Sequence, residues 1–474
     1  MSASARAAAL DALGVTLVHA AACAVARSAG LDHVSDDDFA RVTIAQAFAF
    51  APRLDPSGTS WLPFPFWALG GLMMIFGRSL ATARALSILL ASTAASLPYV
   101  ALRWANVPRG RALFATALAF ATPWAIWLGA STVPESFTAS FTASGAIALG
   151  AALTRDTPTS GASSVSSRAR VASFAAAVVA ACLSRYEPWP AAAVLGLAAL
   201  ASALRVGVPP RSLASQRLAG DPSLASQRFG GGRGVAVAIA MACALGPVAW
   251  MAWNAHAHDG PLHFFRRVAG YKRALGEGTT DVLAAALQFP RLLVTTRPEV
   301  TAPALLLLPA LHDRALRRRW IVPLLCAAGQ VLFLSYGNVR DGAPTHHAER
   351  ALVGPLVILA LFVGDDGWQR ATDMAASGAR RGARVAVACV LALWSLTIAR
   401  DVARLPGNTE HEDRRAQVAR GLRLRDEGAA RLVVTPCAFE HFALLAAYGA
   451  PESAEVMPRT GAPPGPECPK VEAR

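Results

Sequence analysis

Long apolar segments follow one another along most of the chain and are separated by short polar loops. The first runs from about residue 8 to residue 30, and its length suits a membrane span. Ten further apolar runs follow, at roughly 83–102, 112–130, 136–153, 171–184, 188–204, 235–253, 298–311, 320–336, 351–363 and 385–399. Several are shorter than the ~20 residues that cross a bilayer core and borrow flanking residues. The pattern predicts an all-α polytopic membrane protein with about eleven transmembrane helices.

One apolar stretch is too short to belong to this series. Residues 64–76 read FPFWALGGLMMIF, which is about 13 residues and falls short of a ~30 Å hydrocarbon core. Trp61 and Trp67 are suitable interfacial anchors. We therefore expect a helix that lies in the membrane interface, inside a long first extracytoplasmic loop over residues 31–82. The segment before it, which starts at Ser35, predicts a second juxtamembrane helix.

Composition agrees with this class of protein. The chain of 474 residues is 54% hydrophobic and only 16% charged, whereas soluble domains carry about 25% charged residues. Its formal net charge of +14 comes almost entirely from arginine, since Lys272 and Lys470 are the only lysines. These arginines cluster in short loops, which is typical of membrane orientation and does not indicate a nucleic-acid partner.

The loop charges predict the orientation of the spans. Alternate loops are short and basic, and we expect them to be cytoplasmic; they begin near Arg103, Arg155, Arg205, Arg314 and Arg370. The loop over 205–233 contains SLASQR twice and is predicted to be a flexible cytoplasmic linker. The remaining loops are richer in acids, histidine and tyrosine and face the other side. The Ala/Arg-rich, lysine-poor composition suggests a high-GC bacterial gene. We expect the protein in the bacterial inner membrane, with its active site on the extracytoplasmic side.

The tail differs in composition from the rest of the chain. We expect a transmembrane domain over 1–400 and a small α/β extracytoplasmic domain over 401–474, with helices at 410–427 and 437–450 and strands at 431–435 and 454–458. The last ten residues are expected to be loose. Cys437 and Cys468 form a disulfide if the tail is extracytoplasmic; the alternative is two unpaired thiols.

Polar residues that are unusual for a membrane protein collect on the predicted extracytoplasmic side. Each one alone is more often a water-facing loop residue, and the acidic cluster also suits the N-terminus of a helix behind Ser35. Their shared side indicates one cavity, in which carboxylates act as a base and arginines hold a phosphate. The group comprises Asp36, Asp37, Asp38, Glu135, Arg185, Tyr186, Glu187, His346, His347, Glu349 and Arg350.

Three stretches in the first third of the chain resemble the GT-C superfamily of polyprenyl-phosphate-sugar-dependent glycosyltransferases, which includes protein O-mannosyltransferases and the aminoarabinose transferase of lipid A. They are DDDFARVTIAQAFA, WLPFPFWALGGLMMIFGRSLATARALSILLA and PRGRALFATALAFATPWAIWLGASTVPESF. The resemblance covers roughly residues 8–153; later only SRYEPWP and THHAERALVGP match. Three aspartates stand where the family usually has Asp-Glu, and Arg350 is followed by Ala351 where an aromatic residue is common.

The resemblance implies a transfer of sugar from a polyprenyl-phosphate donor in the membrane to an extracytoplasmic acceptor (a protein, glycan or lipid), with inversion. Asp37 is then the general base, and Asp36 or Asp38 orients the acceptor or holds a metal. Arg185 and Arg350 are the first candidates for the donor phosphate, with Arg41 and Lys272 next. No cofactor is certain.

The remaining polar residues take supporting roles under this resemblance. Glu135 and Glu187 hold the arginines or bind acceptor hydroxyls, and Tyr186 and Glu349 lie beside them. A divalent metal held by His346, His347 and the aspartates is a further hypothesis.

Two other classes of protein stay open at this point. A secondary transporter or a lipid or glycan flippase also has about a dozen spans and intramembrane charges. The chain shows no repeat at the level of halves, and its unusual charges lie at span ends, which favours an interfacial active site. A structural membrane subunit without catalysis is the third alternative, and the aspartate cluster argues against it.

Overall fold

The computed structural model describes residues 3–154, 164–205, 222–274, 281–343, 348–376, 380–404, 412–458 and 468–473. Within these ranges the chain is mainly helical. The helices are α1 (Ala3–Ser28), α2 (Asp36–Phe50), α3 (Phe64–Phe76), α4 (Leu80–Trp104), α5 (Arg109–Phe120), α6 (Pro123–Ala130), α7 (Glu135–Thr154), α8 (Ser164–Cys182), α9 (Pro188–Arg205), α10 (Pro222–Ala257), α11 (His263–Ala274), α12 (Val282–Thr296), α13 (Pro298–Leu307), α14 (Arg314–Val339), α15 (Val353–Ala376), α16 (Arg380–Arg404), α17 (Arg415–Asp426) and α18 (His441–Tyr448). The strands are β1 (Leu432–Thr435), β2 (Ala454–Val456) and β3 (Lys470–Ala473).

Six helices in the described ranges are long and apolar enough to cross a membrane; they lie within α1, α4, α7, α10, α14 and the segment Ala348–Arg370. The pair α5 and α6 makes a seventh if this pair, which is bent by 73°, counts as one span. The predicted spans at 171–184, 188–204, 298–311 and 385–399 are helical but do not reach this length and apolarity. Within the described residues, length and composition alone therefore support six or seven of the roughly eleven expected spans.

The two helices predicted in the first loop are confirmed. Helix α3 covers Phe64–Phe76, the range expected for an interfacial helix. Pro65 fits its first turn, where a missing N–H costs nothing. Gly77 ends it with φ +94°, a conformation that glycine adopts without strain. Helix α2 begins at the first residue of the aspartate cluster, directly after Ser35.

Helix α1 shows the surface expected of a lipid-facing span. Leu10, Leu13, Leu17, Val18 and Val25 are each more than half exposed. In water such a row of apolar side chains would be unfavourable, but in hydrocarbon it is not. The outward face of this helix thus agrees with the hydropathy pattern.

The chain divides into two compact units. Unit 1 comprises Met1–Ala8, Ser96–Ala119 and Thr138–Leu393; unit 2 comprises Ala9–Ala95, Phe120–Phe137 and Trp394–Arg474. The tail beyond Trp394 therefore groups with the first span and the first loop. A domain boundary near residue 400 stays a prediction.

Helix α2 lies at the centre of unit 2, between α3 and α18. Its apolar residues Phe39, Val42 and Ala45 share a buried cluster with residues of α3, α4 and α18. On the α3 side, Gly70 lets the two backbones approach closely, because a Cβ there would lie 2.7 Å from the carbonyl oxygen of Ala45.

On the α18 side, a polar contact supplements the apolar packing of α2. The buried Gln46 side-chain amide donates to the carbonyl oxygens of Ala446 and Arg78, each at 2.8 Å. A polar group in this position is stable because it is hydrogen-bonded. It fixes the tail helix against the body of α2.

The tail forms a small α/β domain with the strand order β2-β1-β3. Strand β1 pairs in parallel with β2 and antiparallel with β3. The prediction that the last ten residues are loose is wrong for Lys470–Ala473, which form β3. Of the two alternatives for the tail cysteines, the disulfide is present: Cys437 and Cys468 are bonded, with their Cα atoms 5.9 Å apart.

Unit 1 contains a buried carboxylate that joins three helices. Asp365 on α15 is fully buried and accepts hydrogen bonds from Arg111 Nε at 2.9 Å, Arg319 Nη1 at 2.8 Å and Trp320 Nε1 at 2.9 Å. A buried charge is tolerated only when it is paired in this way. Arg111 lies in the first turn of α5 and Arg319 in the second turn of α14, and both segments are predicted to be cytoplasmic, so their shared partner agrees with a common side.

The close approach of α2 and α3 gives a prediction with an adjacent control. Gly70→Ala should destabilise unit 2 by about 1–3 kcal/mol, since the new methyl group would overlap with Ala45 and Phe48. Gly71→Ala has no atom within 4 Å of its new Cβ and should stabilise α3 by about 0.5–1 kcal/mol. Thermal unfolding in detergent measures both variants. Equal shifts would contradict the proposed packing.

Candidate active site

The three neighbouring aspartates have different environments in unit 2. Asp38 is 2% exposed. Its Oδ2 accepts the backbone N–H of Val34 at 2.8 Å and of Ser35 at 3.2 Å, and its Oδ1 accepts the backbone N–H of Thr132 at 2.7 Å. Thr132 Oγ1 adds bonds to the carbonyl oxygen and to Oδ1 of Asp38. Asp38 therefore caps α2 and joins it to the segment before α7.

Asp36 is engaged by the tail. Both of its carboxylate oxygens accept hydrogen bonds from Arg414, from Nε at 2.7 Å and from Nη2 at 2.7 Å. This bidentate geometry is the strongest form of a carboxylate–guanidinium contact. Glu412 also pairs with Arg414, at 2.6 Å.

Asp37 lies between these two anchored residues in the first turn of α2 and is half-buried. The first turn of a helix favours a negative charge because its N–H dipoles point toward the terminus. Among the three aspartates, Asp37 combines this position with partial exposure, while Asp38 is enclosed and Asp36 is held by the guanidinium of Arg414. The role of Asp37 as the general base stays a prediction.

Glu135 begins α7 and is 2% exposed. It follows three residues after Thr132, the residue that Asp38 holds. The contact between Asp38 and Thr132 thus joins the aspartate turn to the segment that carries Glu135, across 94 residues of sequence.

Arg41 is also part of unit 2 and lies one turn after Asp37 on α2. Its guanidinium is 4.4 Å from the ring centroid of Trp61 and 5.9 Å from that of Phe66, and its side chain is buried. Stacking on aromatic rings stabilises an arginine away from water. The guanidinium of Arg41 is thus held against aromatic rings of the first loop, and Arg41 remains a candidate ligand of the donor phosphate.

His33 extends the polar network behind the aspartates. Its Nδ1 faces Asp32 at 2.7 Å, and its Nε2 faces the carbonyl oxygen of Glu412 at 2.9 Å. Burial alone would lower the pKa of His33, but the hydrogen bond with Asp32, the charges of Asp38 and Asp32 and the Glu412 carbonyl together raise it. Since both ring nitrogens face acceptors, the doubly protonated form fits this position. Arg84 pairs with the other oxygen of Asp32.

A second group of predicted site residues lies in unit 1. Arg185 and Glu187 form a bidentate pair, with Nε to Oε2 at 3.0 Å and Nη2 to Oε1 at 2.6 Å. The ring of Tyr186 stacks on Phe264 of α11 at 4.2 Å, and Trp250 Nε1 donates to its hydroxyl at 3.2 Å. Glu187 thus orients Arg185, and the tyrosine fixes α11 against this loop.

Lys272 on α11 is buried in unit 1, and its Nζ donates to Asn338 Oδ1 at 3.0 Å. The amide of Asn338 in turn donates to the carbonyl oxygen of Ala285 and to Gln288 Oε1. An ammonium group has three donors, and a neutral amide oxygen satisfies one of them without cancelling its charge. Lys272 is therefore suited to an anionic ligand.

The last predicted group follows α14. Arg350 is buried and Glu349 is half-buried in a short 3-10 helix, Ala348–Leu352. His346 and His347 lie outside the described residues. The convergence of Arg185, Arg350 and Lys272 with the aspartates stays a prediction.

A metal site also stays a hypothesis. Among the described residues, one set of three potential ligands lies close together, formed by Cys437, Glu440 and Cys468. Its two sulfur atoms form the disulfide, so this set does not fit a metal. Glu440 instead accepts the backbone N–H groups of Cys437 and Ala438.

The chain is an integral membrane protein, and its fold is similar to that of solved structures. Among solved structures it is similar to ArnT from Cupriavidus metallidurans bound to undecaprenyl phosphate, with a TM-score of 0.52 and 14% identity over 97% of this chain and 87% of that one. The Archaeoglobus fulgidus oligosaccharyltransferase, in complex with Zn and sulfate, matches with a TM-score of 0.43 and 13% identity, over 87% of this chain and 55% of that one. No family model and no curated protein sequence matches the chain.

Several residues around the three aspartates were not predicted from the sequence. Thr132 and Arg414 contact the aspartates from 94 and 378 residues away, and no local pattern marks them. His33 carried a signal, because it stands beside Asp32 directly before the aspartate cluster.

The different environments of the aspartates predict different consequences of removing their charge. Asp38→Asn should destabilise the protein by about 1–3 kcal/mol. The carboxylate accepts three backbone N–H groups on its two oxygens, whereas an amide has one oxygen, and its NH₂ group cannot accept. Asp37→Asn should cost less, about 0.3–1 kcal/mol, because it removes a negative charge from the first turn of α2. Melting temperatures of both purified variants test this difference. A smaller loss for Asp38→Asn than for Asp37→Asn would refute the assigned capping role.

Proposed function

We propose that the protein transfers a sugar from a polyprenyl-phosphate donor to an extracytoplasmic hydroxyl or amine, with Asp37 as the general base. The acceptor oxygen or nitrogen attacks the anomeric carbon and forms the new glycosidic bond. The bond from that carbon to the phosphate oxygen breaks, and its electron pair leaves with the polyprenyl phosphate. The acceptor proton passes to the carboxylate of Asp37. Attack from the face opposite the leaving group inverts the anomeric configuration.

The observation that carries this proposal is the division of roles among the three aspartates. Asp38 caps α2 and Asp36 binds Arg414, so both are committed to holding the turn. Asp37 is presented between them on a rigid helix end, which is the arrangement that a positioned general base requires. The GT-C fold supports the reaction class by analogy. A transporter or flippase is the alternative, and the position of the unusual charges at span ends argues against it.

The donor phosphate needs cationic groups that stabilise the charge of the leaving oxygen. Arg185 and Arg350 are our first candidates, and Lys272 and Arg41 are the next. Arg185 is oriented by Glu187, and Lys272 is buried with a neutral hydrogen-bond partner. Arginine offers two donors in one plane, whereas lysine acts as a point charge. Glu135, Tyr186 and Glu349 are proposed to bind acceptor hydroxyls or to support these cations.

The proposed compartment is the outer face of the bacterial inner membrane. The positive charges of alternate loops support this orientation. The disulfide between Cys437 and Cys468 adds a second argument, since such bonds persist mainly in oxidising compartments outside the cytoplasm. A lipid-borne donor and an acceptor exposed to that compartment would meet at this surface.

The role of the base gives a direct test. Asp37→Asn should lower transfer from a radiolabelled polyprenyl-phosphate sugar by about 10²–10⁴-fold, because general-base catalysis contributes on this scale. Asp426→Asn, which removes an exposed carboxylate of the tail, is the matched control and should keep full activity. Purified protein in nanodiscs with a mixture of acceptors provides the assay. Full transfer by Asp37→Asn would exclude Asp37 as the base.

The role of the cations gives a second test. Lys272→Met and Arg350→Gln should raise the KM for the donor, because each removes a positive charge that binds phosphate in the ground state as well as in the transition state. Arg431→Gln, a change at an exposed arginine that pairs with the exposed Glu455, is the control. Donor titrations in nanodiscs measure the change. An unchanged donor KM in both variants would remove these residues from the phosphate site.

A further inference from the structure

The turn that carries the three aspartates is attached to the tail through Arg414. Arg414 immediately precedes α17 and is buried to 94% of its surface, since 6% is exposed. It binds both carboxylate oxygens of Asp36 at 2.7 Å. Asp36 and Asp37 are adjacent in the first turn of α2. The orientation of this turn therefore depends on a residue 378 positions away in sequence.

A series of ion pairs and hydrogen bonds strengthens the same attachment. Arg84 pairs with Asp32, Asp32 pairs with His33, and His33 binds the carbonyl oxygen of Glu412. Glu412 pairs with Arg414. Partly buried ion pairs are worth more than exposed ones, because water screens them less. The segment 412–414 is thus bound to the loop before α2 as well as to α2 itself.

Packing within the tail domain holds Arg414 in a fixed position. Helix α17 crosses α18 at Gly421, where a Cβ would lie 2.2 Å from the carbonyl oxygen of Leu444, so the two helices are in close contact. Arg420 donates to the carbonyl oxygen of Pro469 at 2.8 Å, directly beside the disulfide residue Cys468. Arg414 is therefore attached to a domain that the Cys437–Cys468 disulfide crosslinks.

We propose that Arg414 is a positioning residue that holds Asp36 so that the adjacent Asp37 points in its productive direction. This inference rests on the proposed function of Asp37. The tail domain then serves as a support for the catalytic helix. Because misplacement of a reacting group by about 1 Å costs on the order of 10²-fold in rate, loss of this support should act on the chemical step. It should not act on donor binding, since Arg414 is engaged by carboxylates.

Kinetics of two adjacent arginines test the proposal. Arg414→Gln should lower kcat by about 10–100-fold and leave the donor KM within about twofold. Arg415→Gln, which changes a neighbour that is 92% exposed and pairs with Asp413, should have no effect. Arg414→Lys should recover part of the rate, since it restores the charge but not the bidentate contact. The double variant Asp36→Asn/Arg414→Gln should be no slower than the slower single variant.

A second measurement does not depend on activity. Hydrogen exchange of residues 31–45 should be faster in Arg414→Gln than in the wild type, whereas that of residues 432–448 should be unchanged. If Asp37→Asn stays active while this exchange pattern holds, the proposed function fails and the attachment stands. Unchanged kcat and exchange in Arg414→Gln would overturn the positioning role. Equally accelerated exchange in both segments, with no partial recovery in Arg414→Lys, would also overturn it, because the tail would then have unfolded.

Discussion

The structure of unit 2 depends on how it accommodates a buried negative charge at the start of α2. Asp38 is almost fully enclosed, and an isolated carboxylate in that position would be strongly unfavourable. It is tolerated because backbone N–H groups from two separate segments point at it. That requirement fixes the loop before α2 and the segment around Thr132 at the same time. The contacts of Asp38 therefore help to define the turn that carries Asp37.

The body of α2 is held by a different kind of interaction. Behind the polar turn, the helix is enclosed by small residues that permit close packing, Gly70 on α3 and Ala443, Ala446 and Ala447 on α18. Dense packing of this kind resists small displacements because it leaves no room for rearrangement. The polar end sets the direction of the aspartates, and the apolar body prevents the helix from sliding. The polar end and the apolar body together hold α2 rigidly, as a positioned acid or base requires.

Local patterns predicted α2 and α3 correctly, but not the different contacts of the polar residues. The bounds of α3 follow from a short apolar run between a proline and a glycine, and α2 follows from a serine and acids before an apolar segment. The three aspartates are chemically identical in sequence, however, and distant partners such as Thr132 and Arg414 distinguish them. Strand β3 was missed for a similar reason, because it pairs with β1 beyond a disulfide whose formation the sequence left open. Contacts between distant segments carry no local signal.

The low identity to ArnT, 14% over nearly the whole chain, follows from the same physics. Lipid-facing and core positions of a membrane helix accept many apolar side chains of suitable size, so a shared fold needs little shared sequence. Polar contacts at the helix ends are more demanding, since each donor needs an acceptor at the right distance. The third aspartate, where the resembled family usually has an Asp-Glu pair, illustrates this. One acid caps the helix, one binds the tail, and the remaining one, Asp37, is half-buried, so in this chain the environments of the acids follow from their partners and not from the order of the motif.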